Sequence, residues 1–188
     1  MIDYTNLSDS IKYFNSIGYK ELSLPWHVEK EYIEFTLKKE LVNKYKFKIL
    51  DNRFLVGSAE QSFIKSMIED KIYGSYQSIT PCFRDDVEDN LHHKYFMKNE
   101  IFINNDISIH RLQRLIEEVL KLYSKYTTKD NIEIVETSDE LSIKSFDINI
   151  NGIEVGSYGI RELEGYGWIY GTGVAEPRFS YSLKKENK

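Results

Sequence analysis

Residues 79–102 read ITPCFRDDVEDNLHHKYFMKNEIF. Two runs rich in apolar and aromatic residues, SITPCF ending at Phe83 and YFMKNEIFI starting at Tyr95, flank a segment dense in charge. That pattern predicts a strand, a polar connection and a return strand. The connection opens on Arg84-Asp85-Asp86 and ends close after His92-His93, so ionic side chains gather at the mouth of a hairpin. A charged hairpin tip on its own is ordinary solvated surface. Its meaning depends on what the rest of the chain brings to it.

Working outward, Ile11, Phe14 and Ile17, closed by Gly18, predict a short first helix with a glycine stop. KELSLP then reads as extended and ends at Pro25. Residues 28–43 are charge-rich with Ile33, Leu37 and Leu41 at helical spacing, and two short strands, FKIL and RFLVG, follow. Ala59, Phe63, Ile64, Met67 and Ile68 predict another helix ahead of the hairpin. After it, Leu112, Leu115, Ile116, Val119, Tyr123 and Tyr126 form the clearest amphipathic helix of the chain. IEIVET, SIKSFDINI, IEVGSYGIREL and GWIYGTG are strand-like, and a last helix is expected within residues 175–184, packed under the sheet. The order predicts an α+β fold with a mixed, mainly antiparallel sheet flanked by helices.

The 188 residues suffice for one domain with a proper core. A formal charge of −5, with no Lys/Arg block dominating any segment, argues against a broad nucleic-acid footprint. No DNA partner is expected, while a local RNA contact stays open. The single cysteine, Cys82, excludes an internal disulfide and a cysteine-based zinc cluster. Its apolar flanks also argue against a reactive thiol. His27 and His110 look incidental. With no signal peptide and no apolar run near ~18 residues, the expectation is a cytosolic protein without a membrane partner.

Three segments in order resemble the three motifs of class II aminoacyl-tRNA synthetases. GYKELSLP (18–25) resembles motif 1, the hairpin 79–102 resembles motif 2, and GTGVAEPR (171–178) resembles motif 3. The chain departs from the third pattern at Ala175, where a glycine is usual, and at Pro177, where a glutamate is usual. The resemblance implies that ATP is held by the hairpin. Arg84 would bind the α-phosphate and the substrate carboxylate, and Asp86 the adenine amino group. Phe96 would stack on adenine, with Arg178 over its other face and on the γ-phosphate. His92 or its neighbour His93 would reach the terminal phosphates. Arginine suits such a task because its planar fork pairs bidentately with phosphate.

Residues 145–161 resemble the matching part of aspartyl- and asparaginyl-tRNA synthetases and of ammonia-dependent asparagine synthetase. Asp147 and Glu154 fall on neighbouring strands, and two converging carboxylates suit Mg²⁺ completed by phosphates and water. By the resemblance Ser157 adds a contact and Arg161 faces the substrate, pairing with a side-chain carboxylate; Glu162 and Glu164 are its alternative partners. In Ser58-Ala59-Glu60-Gln61 the resemblance puts the substrate's α-amino group on Glu60, with Gln61 second. Equally, Ser58 reads as a helix cap with Glu60 favourable in the first turn.

At this length the resemblance implies a bare catalytic core without an anticodon-binding domain. Its expected activity is ATP-dependent activation of an amino acid, with tRNA or a small or carrier acceptor downstream. The motif-1-like segment would form a homodimer. An inactive regulatory paralogue and an asparagine-synthetase-like amide-forming ligase remain open as alternatives.

Overall fold

The computed structural model describes residues 1–37, 39–42, 47–50, 52–85, 87–89 and 91–185, without the side chains of 39 and 40. Helix α1 spans Tyr4–Ser16, capped by the Asp3 carboxylate, which accepts the Thr5 amide at 2.8 Å. Gly18, at φ +99°, turns the chain from α1 into strand β1, Lys20–Glu21. Strand β2 is His27–Glu29, followed by helices α2, Lys30–Glu34, and α3, Lys39–Val42, then strand β3, Arg53–Leu55. Helix α4 is Ala59–Ile68, strands β4 and β5 are Ser75–Phe83 and Tyr95–Ile103, and helix α5 is Ile109–Tyr123. Strands β6, Ile132–Thr137, β7, Lys144–Ile150, β8, Ile153–Leu163, and β9, Tyr166–Glu176, lead to helix α6, Arg178–Lys184.

Seven strands form one sheet in the order β1-β4-β5-β9-β8-β7-β6. The β1–β4 pair is parallel and every other pair in that sheet is antiparallel. The predicted mixed, mainly antiparallel α+β architecture is what the chain adopts. Side-chain alternation sends each strand's residues to two different cores. Ile101 and Ile103 of β5 and Ile169 of β9 join α1, α5 and α6 on one face. Phe102, Trp168 and Tyr170 join α2, α4 and the small β2–β3 ladder on the other. Tyr126 lies beyond the end of α5 and packs edge-on against Phe179 of α6.

Among the described residues, the predicted helix over 28–43 is two short helices. Val28 pairs with Phe54 across the β2–β3 ladder and both are buried, so the first residues are drawn into a strand. The helix then gives way after Glu34, where the Thr36 hydroxyl is taken up by Ile33 O and Gln61. Of the predicted strand 47–50, only Lys48 makes a bridge, to Phe54.

The small residues of 171–175 let helices approach the sheet. A Cβ at Gly173 would lie 2.6 Å from Ser10 Oγ of α1 and 2.8 Å from Asn99 Nδ2. Gly173→Ala is therefore expected to cost ~1–3 kcal/mol through overpacking. A thermal melt checks it, and an unchanged midpoint would mean that α1 can retreat without loss.

Candidate active site

A cavity of about 600 Å³ opens on the sheet face that carries α4. Every site residue expected from the sequence lines it except Asp86, which lies outside the described residues. The hairpin supplies one wall. Its ladder runs to Phe83↔Tyr95 and is extended by Arg84 N–H donating to Lys94 O at 3.1 Å. Arg84 thus leaves the strand in a fixed direction. Its guanidinium lies 5.1 Å from the centre of the Phe96 ring, and Nε donates to Gly57 O at 3.3 Å. One face of Phe96 is accordingly covered by Arg84.

Arg178 enters the cavity as the first residue of α6. Nε donates to Leu91 O in the hairpin connection and Nη1 pairs with Glu154 Oε1, both at 3.3 Å. The arginine ties the hairpin to β8. Nearby, Asp89 accepts the Leu91 and His92 amides and lies 2.9 Å from His92 Nδ1. The His92 contact and those two amides hold the Asp89 carboxyl down at about 2. His92 is exposed and His93 half-buried.

Asp147 and Glu154 do fall on adjacent strands. Asp147 stands opposite Ser157 in the β7–β8 register, and Ser157 Oγ is 3.5 Å from Glu154 Oε1. Burial raises the Asp147 carboxyl, the Ser157 hydrogen bond offsets part of that, and the Glu154 charge raises it further. Among the described residues no group of three or more His, Cys, Asp or Glu is arranged to hold a metal ion. Two carboxylates and a hydroxyl are hard oxygen donors. They suit Mg²⁺ only if ligand phosphates and water complete its shell.

Ser58 caps α4, accepting the Glu60 amide at 3.3 Å, and its hydroxyl also donates to Glu100 at 2.7 Å. Glu100, fully buried, takes the Ala59 amide and pairs with Lys98 at 3.2 Å as well. The resemblance put the substrate ammonium on Glu60, with Gln61 second, but both are engaged within the protein. Gln61 spans the strand-to-helix turn, accepting from Gly57 N–H at 2.9 Å and donating to Thr36 at 2.8 Å. Glu60 receives Arg161 Nη1 on both oxygens at 2.8 Å and the Trp168 indole N–H at 2.7 Å. Arg161 turns away from Glu162 and Glu164. Its Nη2 pairs with Asp139 at 2.7 Å, Nε bonds Ser142 at 3.3 Å, and its plane lies 4.3 Å from the Tyr170 ring centre.

Burial raises the Glu60 carboxyl, against the pull of Arg161. At Asp139 burial is outweighed by hydrogen bonds from Arg161 and Ser142, which hold the carboxyl low. The sequence reading missed Lys98, Glu100, Asp139, Trp168 and Tyr170. Alternation from Phe96 was a usable signal for Lys98 and Glu100, which share its face. Asp139 lies between strands and carried no signal. Cys82 is buried, and burial pushes its thiol up to about 11, away from the thiolate form.

No protein-family model matches the sequence, and no curated protein sequence matches it significantly. Solved structures do match. Pyrrolysyl-tRNA synthetase from Desulfitobacterium hafniense superposes with a TM-score of 0.76 at 14% identity, over 98% of this chain and 69% of that one. Seryl-tRNA synthetase from Pyrococcus horikoshii, complexed with ATP, gives 0.76 at 16% identity, over 97% and 49%. The chain has the fold of a class II aminoacyl-tRNA synthetase core. Cytoplasmic serine-tRNA ligase from Naegleria fowleri, in complex with AMP, gives 0.70 at 15% identity, over 95% and 52%. The synthetase-like core thus spans about half the length of these seryl enzymes. In it, the motif-3-like segment runs from β9 into α6, with Pro177 at the helix entry and Arg178 just inside. None of its described helices is long and apolar enough to cross a membrane.

Proposed function

We propose that the chain is an ATP-dependent ligase that activates an amino acid as its adenylate. The observation that carries this is the convergence of Arg84 and Arg178 on one cavity, with Asp147 and Glu154 lining it too, on a class II synthetase fold. An oxygen of the amino acid carboxylate attacks the α-phosphorus of ATP, the bond to the bridging oxygen breaks, and pyrophosphate leaves. Such a reaction needs positioning and charge stabilisation more than proton transfer. Arg84 holds the substrate carboxylate against the α-phosphate. Phe96 stacks on adenine, and Asp86 is the partner for the adenine amino group. Arg178 exchanges Glu154 for the γ-phosphate, while His92 and His93 attend the terminal phosphates.

Asp147, Glu154 and Ser157 would hold Mg²⁺, which neutralises phosphate charge when bound. Release of Glu154 by Arg178 frees a carboxylate for that role as the phosphates arrive. The activated amino acid then passes to tRNA or to a small or carrier acceptor. The motif-1-like segment, α1 with β1, is the proposed homodimer interface. Light scattering should give twice the chain mass, and a monomer would overturn that part.

The test is amino-acid-dependent exchange of pyrophosphate into ATP, run with Mg²⁺ across all amino acids. Exchange with at least one is expected. Nucleotide binding without exchange for any amino acid sinks the activation reading and favours a regulatory paralogue.

A further inference from the structure

We propose, resting on the activation reading above, that Glu60, Arg161 and Asp139 close the side-chain end of the cavity as a saturated ionic triad that rejects acidic amino acids and admits neutral or cationic ones. Strand β8 places the triad. Ser157 and Arg161 are four residues apart and share a face, so at ~3.3 Å per residue Arg161 lies ~13 Å further along the strand than Ser157. Arg178 and Glu154 mark the phosphate end. Arg84 is fixed on Gly57, three residues before Glu60, which links it to the triad's end of the cavity. An amino acid whose carboxylate meets Arg84 therefore turns its side chain towards Arg161.

Arg161 cannot serve an acidic side chain there. One N–H on Nε goes to Ser142, one on Nη1 is shared between the two Glu60 oxygens and one on Nη2 goes to Asp139, so all three guanidinium nitrogens are engaged. A substrate carboxylate would meet a guanidinium that already carries two carboxylates. Pulling Arg161 away would strand Glu60, whose side chain is 5% exposed, without its counter-ion. The triad holds two carboxylates and one guanidinium, a net charge of −1. Lys98, also buried in the cavity wall, is already paired with Glu100. Asp139, with its side chain 31% exposed, is the triad's more open member and would repel an incoming carboxylate. Leu37, Leu41, Thr36 and Tyr170 complete the wall and offer apolar surface to an uncharged side chain.

Calorimetric titration with non-hydrolysable aminoacyl sulfamoyl adenosine analogues tests the idea, using acidic, neutral and cationic members. At least one neutral or cationic analogue should bind ten times or more tighter than the aspartyl and glutamyl analogues. Equal or tighter binding of an acidic analogue overturns the triad filter and leaves adenylate formation standing. Binding of no analogue at all overturns both. Asp139→Asn removes one repelling charge and loosens Nη2, so the acidic analogues should gain tenfold or more relative to the best neutral one. Unchanged discrimination in a variant with native circular dichroism also overturns the filter. If that variant does not fold, the wild-type ranking decides alone.

Discussion

Replacing Arg84 with alanine should lower the rate of amino-acid-dependent pyrophosphate exchange by a factor of ~10²–10³, the loss typical when one preorganised donor to a developing charge is removed. Its protein contacts are one partly buried hydrogen bond to Gly57 O and the face of Phe96. Losing them should cost only ~1 kcal/mol of stability, so the variant folds and the activity loss is informative. Arg84→Lys separates charge from geometry. It keeps the cation but not the fork, and it should fall between the alanine variant and wild type. Exchange kinetics on variants of matched thermal midpoint provide the measurement. An alanine variant within threefold of wild type would remove Arg84 from the reacting centre.

The largest stability effect is expected at Arg161. Arg161→Ala leaves Glu60 buried without its counter-ion and releases Asp139. Breaking a buried pair by removing one partner costs ~3–5 kcal/mol. For a chain of this size that lowers the thermal midpoint by roughly 10 °C. The pH dependence has a definite sign. Burial already raises the Glu60 carboxyl, and removing Arg161 takes away the group that pulled it down. A carboxyl whose folded-state pKa exceeds its unfolded one binds its proton more tightly when folded. The penalty is therefore absent below the unfolded value and grows as the pH rises towards the folded one. Arg161→Ala should lose more stability at pH 7 than at pH 5, and Arg161→Met with Glu60→Gln should recover part of the loss. A midpoint for Arg161→Ala within about 2 °C of wild type would show that the triad contributes little to stability.

The elements legible in the sequence were those whose pattern is local. The hairpin strands, α4, α5 and the four C-terminal strands each carry their own periodicity over many residues, and local spacing survives packing. Residues 28–43 show the opposite case. Their helical spacing was real, yet burial of Val28 against Phe54 drew the first residues into a ladder. A short ladder partner many positions away leaves no trace in a local window. The site divides in the same way. Arg84, Phe96 and Arg178 were found because each belongs to a compact motif. The cover on Phe96, the engagement of Gln61 at its turn and the pairing of Arg178 with Glu154 were not.

By itself the sequence determined the α+β sheet, the charged hairpin and the set of arginines and carboxylates available for chemistry. The resemblance put Arg161 on the substrate side, with Glu162 and Glu164 as its alternative partners within the chain. Only the tertiary structure decided what those charges do, because Glu60 and Asp139 stand 101 and 22 positions from Arg161. Once buried together, opposite charges at hydrogen-bond distance satisfy one another before any ligand arrives. An arginine that looked like a receptor for an acidic side chain is in the folded chain already neutralised.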